Sequence, residues 1–214
     1  MWQKEYKKEK FYWGLDPDKV LKELLKYAPK GIALDIGAGE GRNSVFLAKN
    51  GFKVEAIDRI KEGLEKCKKL TKRDNLPIKT RVIDIRKFRF KKNKYTLIVA
   101  IASLDFLKSS EIKKIIHKIK KSLKKEGVFY LLVFSTKDHA FKRCKEKFKM
   151  IERNTFYLAK LKTYRHFFEK RELLNLLKNL KIIQVKEGRL KDIHNNKPYF
   201  HQIIKIVAVK KKET

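Results

Sequence analysis

Two kinds of apolar pattern alternate along this chain from residue 16 to residue 212, and this alternation limits the fold more than any other feature. Short apolar runs such as 95–102 predict buried strands. Between the runs, leucine and isoleucine recur three and four residues apart, as in helices with one apolar face. Strands alternating with helices predict a doubly wound α/β fold, a mostly parallel sheet with helices on both faces. The predicted strands are 32–36, 52–57, 78–85, 95–102, 128–134, 182–186 and 203–209.

The ends of several helices can be predicted from single residues. Asp16 followed by Pro17 predicts the start of the first helix, with the aspartate as N-cap and the proline in the first turn. Gly51 and Gly127 predict the ends of two later helices. Only a short polar link separates the last two strands, so we expect them to pair antiparallel. Residues 136–168 mix basic and aromatic residues after the fifth strand, and we expect them to form a substrate cap.

A glycine-rich segment follows the first predicted strand. Residues 34–44 have the sequence LDIGAGEGRNS, with glycines at 37, 39 and 41 between a strand and a helix. Such glycines let the backbone turn sharply and let a ligand approach the main chain. A dinucleotide site needs its third glycine one position later, where this chain has Arg42. Asp35 would repel a pyrophosphate and attract an ammonium group, so we predict S-adenosylmethionine as the ligand.

Two aspartates lie at the ends of the next two predicted strands. Asp58 is placed, relative to the glycines, where a carboxylate accepts hydrogen bonds from both hydroxyls of a ribose. Its alternative role is to cap the next helix. Asp84 is predicted to accept from the adenine amino group, with Ile85 against the ring. The alternative for Asp84 is a turn at the surface.

Together these segments resemble class I methyltransferases, and within them the tellurite-resistance methyltransferase group. The resemblance lies in residues 34–44 and in NGFKVEAID at 50–58, and it covers roughly residues 12–211. Further matching segments are TRVID, YTLIV and FEKREL at 80–84, 95–99 and 168–173. The resemblance implies a Rossmann-like methyltransferase fold of seven strands with the last strand antiparallel. It also implies methyl transfer from S-adenosylmethionine to a small, often anionic or soft acceptor.

The resemblance also implies the positions of the donor-binding residues. The glycines would line the methionine end of the donor, Asp58 the ribose, and Asp84 with Ile85 the adenine. Residues at the end of the fourth strand, through Ser103, would lie beside the donor. The residues predicted to bind the donor are Asp35, Gly37, Ala38, Gly39, Gly41, Arg42, Asn43, Asp58, Arg59, Asp84, Ile85, Ile101 and Ala102.

The acceptor side has fewer sequence signals. A sulfonium methyl is already activated, so alignment in a dry site matters more than a dedicated base. Candidate segments are a lid at 11–13 within the N-terminal region 1–30, the cap 136–168, and the last hairpin. Tyr12, His194 and His201 are the catalytic candidates. No two histidines have metal-ligand spacing, so we predict no metal.

The charge of the chain bears on whether the acceptor is RNA or a small molecule. There are 56 Lys and Arg against 24 Asp and Glu, a formal net charge of +32. This charge suggests a polyanion, so an RNA methyltransferase is the alternative function. The lysines are spread along the whole chain, however, as in a thermophile-like composition. An RNA-binding face would concentrate charge and exposed aromatics. We therefore predict a small acceptor, and the positive surroundings would favour an anionic one.

Other classes fit less well. Arg42 and Asp35 disfavour a nicotinamide oxidoreductase, and the intact glycine loop with Asp58 disfavours a catalytically silent binding module. Cys67 and Cys144 form no CxxC pair, and Cys67 lies on an apolar helix stripe, so we predict a buried thiol there. The first residues lack a signal-peptide core, and no apolar run is long enough to span a bilayer. We expect a cytoplasmic protein, a monomer or homodimer, with a single domain over residues 1–214.

Overall fold

The computed structural model describes residues 2–8, 10–194 and 197–212, apart from the side chains of 192–194, 197 and 198. The helices are α1 (Trp2–Tyr6), α2 (Lys19–Leu24), α3 (Arg42–Lys49), α4 (Lys61–Arg73), α5 (Ser109–Ser122), α6 (His139–Lys147) and α7 (Lys170–Leu176). The strands are β1 (Ile32–Ile36), β2 (Lys53–Asp58), β3 (Ile78–Val82), β4 (Tyr95–Ile101), β5 (Leu123–Phe134), β6 (Met150–Glu152), β7 (Thr155–Leu158), β8 (Thr163–His166), β9 (Leu180–His194) and β10 (Lys197–Lys210).

Seven of these strands form one sheet in the order β3-β2-β1-β4-β5-β10-β9. The first five strands run parallel, and β10 lies antiparallel between β5 and β9. This is the predicted α/β fold with its last strand antiparallel. The strand order reverses between β1 and β4, so the carboxyl ends of these two strands form the crevice where such sheets bind ligands.

Apolar layers hold helices on both faces of the sheet. Residues 95–100 of β4 are all buried, which explains the continuous apolar sequence of a central strand. The layer on one face includes residues of α2, α3 and α4, and the layer on the other includes residues of α5 and α7. Among the described residues, none of the helices combines the length and the apolar character that crossing a membrane requires.

The first predicted helix start was wrong. The helix begins at Lys19, and its N-cap is Asp18 rather than Asp16. The Asp18 carboxylate accepts from the Val20 N–H at 3.0 Å and from the Tyr130 hydroxyl at 3.0 Å. The hydrogen bond from a buried tyrosine of β5 therefore stabilises Asp18 as the cap. This contact joins distant parts of the chain, so no local sequence pattern predicts it.

Other predicted boundaries were also wrong. Strand β3 ends at Val82, because the following residues form a 3-10 turn at Ile85–Lys87. Helix α5 ends at Ser122, well before Gly127, and β5 begins at the next residue. The final two strands extend far beyond their predicted ends, so most of the predicted polar link is paired within one long hairpin.

The predicted cap, residues 136–168, contains helix α6 and a small antiparallel sheet in the order β6-β7-β8. Within this segment, the rings of Phe141, Phe156 and Phe167 pack against one another. Strand β8 packs against the 3-10 turn Leu104–Phe106, which follows β4. The small sheet therefore lies beside the ligand-binding end of the main sheet.

Candidate active site

A cavity of about 340 Å³ lies at the carboxyl ends of β1, β2 and β4. Most of the residues predicted to bind the donor line it, whereas Asp35 and Gly41 do not. Those on the wall are Gly37, Ala38, Gly39, Arg42, Asn43, Asp58, Arg59, Asp84, Ile85, Ile101 and Ala102. The fold thus brings four separate sequence segments together around one cavity.

The glycine loop contains positions where a side chain would not fit, and the contact is closest at Gly37 and Gly41. Gly37 has a φ of +73°, and a Cβ added there would lie 2.4 Å from the Cβ of Ser103. Gly41 has a φ of +91°, and its Cβ would lie 2.4 Å from the Sγ of Cys67. Gly41 therefore lets the start of α3 pack closely on α4. Cys67 is buried as predicted, and this burial raises the pKa of its thiol to about 12.

Asp58 connects the glycine loop to helix α4. Its Oδ2 accepts from the Gly39 N–H at 2.8 Å, and its Oδ1 accepts from the Ile60 N–H at 2.8 Å. Burial raises the pKa of Asp58, and these hydrogen bonds oppose the increase. Each carboxylate oxygen has two lone pairs, so Asp58 can still accept from further donors. The N-cap of α4 is Ile60, and no side chain caps the helix, so Asp58 holds the N-cap residue rather than capping the helix itself. Contact with a ribose stays a prediction.

Asp35 lies behind the loop rather than on the cavity wall. It is 1% exposed, and the Ser44 hydroxyl donates to its Oδ2 at 2.6 Å. Burial raises the pKa of Asp35 to about 6, although the hydrogen bond from Ser44 lowers it. The carboxylate can therefore influence a ligand only through the loop. It does not reach the cavity, so it cannot contact an ammonium group directly as predicted.

Asp84 forms the surface turn that was its alternative role, and it also lines the cavity. Its Oδ1 accepts from the Nε of Arg86 at 2.9 Å, and this bond is the main cause of a lowered pKa for Asp84. The neighbouring side chains of Ile83 and Ile85 are also on the wall. The adenine contact stays a prediction, and Arg86 holds the carboxylate that would make it.

The N-terminal segment is tied to the glycine loop. The buried Glu40 accepts from the backbone N–H groups of Tyr12 and Trp13 at 2.8 and 3.3 Å, and pairs with Lys66 at 2.7 Å. Arg42 donates to the Trp13 carbonyl oxygen at 3.1 Å. The sequence reasoning missed Glu40, although a glutamate within a glycine loop was a visible signal.

The same segment places Trp2, Tyr6 and Trp13 on the cavity wall. Tyr12 is not on the wall, because its ring packs against Trp2 and Trp13. The predicted lid region therefore supplies part of the site, through residues other than the candidate Tyr12. Movement of this region as a lid stays a prediction. Nothing in the local pattern indicated Trp2 or Tyr6.

Neither histidine candidate has a described side chain on the cavity wall. His201 is buried, with its Nδ1 3.1 Å from Asp138 Oδ2 and its ring against Phe134. Burial would raise the pKa of Asp138, but the hydrogen bond with His201 and backbone bonds lower it. The side chain of His194 lies outside the described residues. Among the described residues, no group of three or more His, Cys, Asp or Glu could hold a metal ion.

The family model described as "Tellurite resistance protein TehB" matches residues 2–192 of this chain. The chain belongs to the TehB family. It is 34% identical over 135 residues to ribosomal protein L11 methyltransferase of Campylobacter concisus, covering 62% of this chain and 45% of that protein. It is 31% identical over 87 residues to a probable S-adenosyl-L-methionine-dependent methyltransferase TehB of Haemophilus influenzae, covering 41% and 30%. The chain thus spans less than half the length of these curated relatives.

A solved structure shares the fold. The crystal structure of a SAM-dependent methyltransferase from Methanosarcina mazei superposes with a TM-score of 0.76 at 21% identity, covering 92% of this chain and 100% of that one. Its sheet is thus built like the one described above, and the fold of this TehB-family chain is that of class I methyltransferases.

The remaining wall of the cavity is made by parts of the chain that are far apart in sequence. We call it the far wall. Its residues follow β4 or belong to β5, the cap and β9: Ser103, Leu104, Phe106, Leu107, Leu132, Phe134, Leu161, Thr163 and Leu190. Only Ser103 was indicated beforehand, through the resemblance. The cap was predicted as a segment, but no pattern singled out Leu161 or Thr163 within it.

Proposed function

We propose that this TehB-family chain is an S-adenosylmethionine-dependent methyltransferase that acts on a small acceptor. The proposal rests on the charge of the cavity wall. Four carboxylates line the cavity against two guanidinium groups, and the described lining residues include no lysine. These charged residues are Asp18, Glu40, Asp58, Asp84, Arg42 and Arg59.

This balance is opposite to that of the whole chain, which carries +32. Three of these carboxylates have ion-pair partners that do not line the cavity: Lys66 for Glu40, Arg86 for Asp84 and Lys205 for Asp18. The carboxylate of Asp58 therefore carries the argument, because negative charge on the wall favours a cationic ligand. S-adenosylmethionine has a sulfonium and an ammonium against one carboxylate, and it has no phosphate. A nicotinamide dinucleotide has a pyrophosphate, and its site needs a third glycine at the position where this chain has Arg42. The wall therefore supports the donor that the glycine spacing predicted.

Aromatic residues support the same ligand. Trp2, Tyr6 and Trp13 line the cavity together with the carboxylates. Cations are attracted to the faces of aromatic rings, most strongly to tryptophan. The chemistry of the lining residues thus fits a sulfonium nucleoside.

In the proposed complex, Asp58 accepts from the ribose hydroxyls, and Ile83 with Ile85 packs on the adenine. The main chain of the glycine loop holds the methionine end, where Gly37 allows close approach. When bound, S-adenosylmethionine supplies a methyl group that is already activated. The work of the chain is then to align the acceptor and to exclude water.

The proposal specifies a small acceptor rather than RNA. The aromatic N-terminal segment and the cap residues Leu161 and Thr163 both contribute to the wall, and a cavity of about 340 Å³ is of the size that takes small molecules. The expectation of an anionic acceptor rested on the overall charge. We do not carry it forward, because the far wall contains no charged residue.

The test combines binding with methyl transfer. Calorimetry should show binding of S-adenosylhomocysteine and no binding of NAD, and the reverse preference would contradict the donor assignment. Labelled S-adenosylmethionine should then label a small-metabolite fraction and not total RNA. Salt-sensitive labelling of RNA alone would replace the small-acceptor proposal by the RNA alternative.

A further inference from the structure

Residues 10–18, which we call the strap, lie between helices α1 and α2 and form neither helix nor strand. The main chain of the strap closes one turn, in which the Gly14 N–H donates to the Phe11 carbonyl oxygen at 3.2 Å. Backbone groups of an irregular segment that packs on a domain need partners from elsewhere in the chain. The position of the strap therefore depends on the side chains that supply those partners.

Glu40 is the centre of these contacts. Its Oε2 accepts from the N–H groups of Tyr12 and Trp13, and its Oε1 accepts from Lys66 Nζ at 2.7 Å. Lys66 Nζ also donates to the Lys10 carbonyl oxygen at 2.9 Å. The side chain of Glu40 is 1% exposed and that of Lys66 is 13% exposed, so the ion pair is sheltered from water. One buried pair thus holds the strap at three of its residues.

Two loop side chains next to Glu40 continue the attachment. The Nη1 of Arg42 donates to the carbonyl oxygens of Trp13 and Asp16 at 3.1 and 3.3 Å. The Oδ1 of Asn43 accepts from the Asp18 N–H at 2.9 Å. The loop therefore binds the strap through its side chains, whereas the glycines that precede Glu40 line the cavity.

The strap brings an aromatic ring to the cavity. Trp13 lines the wall, and its Nε1 donates to the Tyr6 hydroxyl at 3.2 Å. The ring of Trp13 also packs on that of Trp2, with 5.2 Å between the centroids. Tyr6 and Trp2 line the same cavity. The chain has two tryptophans, Trp2 and Trp13, so its tryptophan fluorescence reports on this wall.

We propose that Glu40 is a positioning residue for the donor, an inference that rests on the proposed function. Glu40 holds the strap, and with it the Trp13 ring, against the glycine loop, and the ion pair with Lys66 fixes that arrangement. Donor binding then depends on Glu40 even though its carboxylate is occupied by the strap and by Lys66. The competing role is direct contact, because Glu40 also lines the cavity and a carboxylate there would attract the donor ammonium.

Lys66→Met separates the two roles, because Lys66 does not line the cavity. The substitution removes the bond to the strap at Lys10 and leaves the Glu40 carboxylate without its cation. If Glu40 acts through the strap, we expect S-adenosylhomocysteine to bind about tenfold more weakly. If Glu40 contacts the ammonium directly, the released carboxylate binds the ligand equally well or more tightly, and that result would overturn the inference. The control is Lys69→Met, at an exposed position of the same helix, which should bind normally.

Two double variants avoid an unpaired buried charge. In Glu40→Gln/Lys66→Met, the amide oxygen still accepts from the strap N–H groups, and in Glu40→Ala/Lys66→Met no acceptor is left. We expect the glutamine variant to bind S-adenosylhomocysteine as Lys66→Met does, and the alanine variant to bind about tenfold more weakly again. Direct contact by the charge predicts the same loss for both, because neither has a carboxylate. Equal affinities of the two variants would therefore contradict the positioning role.

Acrylamide quenching of tryptophan fluorescence tests the strap without any ligand. Quenching should increase in Glu40→Ala/Lys66→Met and stay near that of Lys66→Met in the glutamine variant, with circular dichroism confirming that each variant is folded. Unchanged quenching in the alanine variant would show that Glu40 does not hold Trp13 in place. Failure of the wild-type protein to bind S-adenosylhomocysteine would instead contradict the proposed function, and the quenching result would still decide whether Glu40 holds the strap.

Discussion

The proposed donor side of the cavity and the far wall are built in different ways. The donor side consists of short segments such as 37–43, 57–60 and 83–85, and it presents main-chain groups and carboxylates. The far wall combines side chains from 103–107, β5, the cap and β9, and it presents apolar groups and two hydroxyls. The comparison teaches that main-chain recognition depends on local backbone geometry, whereas an apolar wall depends on which distant elements pack together.

The largest predicted effect is on the donor side. Gly37→Ala places a Cβ 2.4 Å from that of Ser103 at a φ of +73°, so the loop must move. We expect S-adenosylhomocysteine to bind about 100-fold more weakly or not at all, on the order of 3 kcal/mol. Calorimetry measures this loss. The control is Gly188→Ala, where the added Cβ meets nothing within 4 Å. Binding of Gly37→Ala at near wild-type strength would refute the close approach.

A smaller effect is expected for Asp58→Ala. Loss of charge-assisted hydrogen bonds should weaken donor binding by about 1–3 kcal/mol while the protein stays folded. Part of this loss comes from the loop, because Asp58 also holds the Gly39 N–H. A 2′,3′-dideoxy analogue of S-adenosylhomocysteine separates the two contributions. If the variant and the wild type bind the normal ligand equally, the ribose role is disproved.

Each side also has one buried carboxyl group whose pKa burial raises to about 6, Asp35 behind the donor side and Asp105 behind the far wall. A carboxyl group with a raised folded pKa favours the folded state while it is protonated. Its contribution to stability is therefore present below the unfolded pKa and is lost as the pH rises from about 4 to about 6.

Asp35→Asn and Asp105→Asn should each remove one such component. Between pH 4 and pH 7 the wild type loses the contribution of this carboxyl group to the free energy of unfolding, and the variant does not. We therefore expect the change in that free energy to differ by about 1–2 kcal/mol between variant and wild type, with the smaller loss in the variant. Urea unfolding at several pH values measures this difference. A variant with the wild-type pH profile would show that the pKa of its carboxyl group is not raised. Donor affinity should be unaffected in Asp105→Asn, because Asp105 lies on the other side.

The smallest effect is expected at Tyr12. Its ring lies in the N-terminal aromatic cluster but not on the wall, so Tyr12→Phe should change the affinity for S-adenosylhomocysteine by less than about twofold. Trp13→Ala is the matched comparison, because Trp13 lines the cavity and should weaken binding measurably. A large kinetic defect in Tyr12→Phe with unchanged binding would restore Tyr12 as a catalytic candidate.

Predictions from the sequence succeeded where a few adjacent residues decide the outcome. The glycine spacing, the aspartate after β2 and the buried runs of β1 and β4 indicated strands and residues that line one cavity, while donor binding there stays a prediction. They failed where a distant partner decides. Tyr130 selects Asp18 as the helix cap, and Trp2 with Tyr6 reaches the cavity from the start of the chain.

The sequence by itself determined the α/β alternation, the glycine loop and the carboxylates at the strand ends. These features depend on hydrophobic period, on glycine's access to positive φ and on strand direction, which all act over a few residues. Only the tertiary structure decided that carboxylates outnumber cationic side chains on the cavity wall of a strongly basic chain, and that Ser103 and Thr163 are the hydroxyls on the far wall. The reason is that packing places charges and apolar groups from distant segments side by side. Contacts of this kind produce no repeating pattern in the sequence.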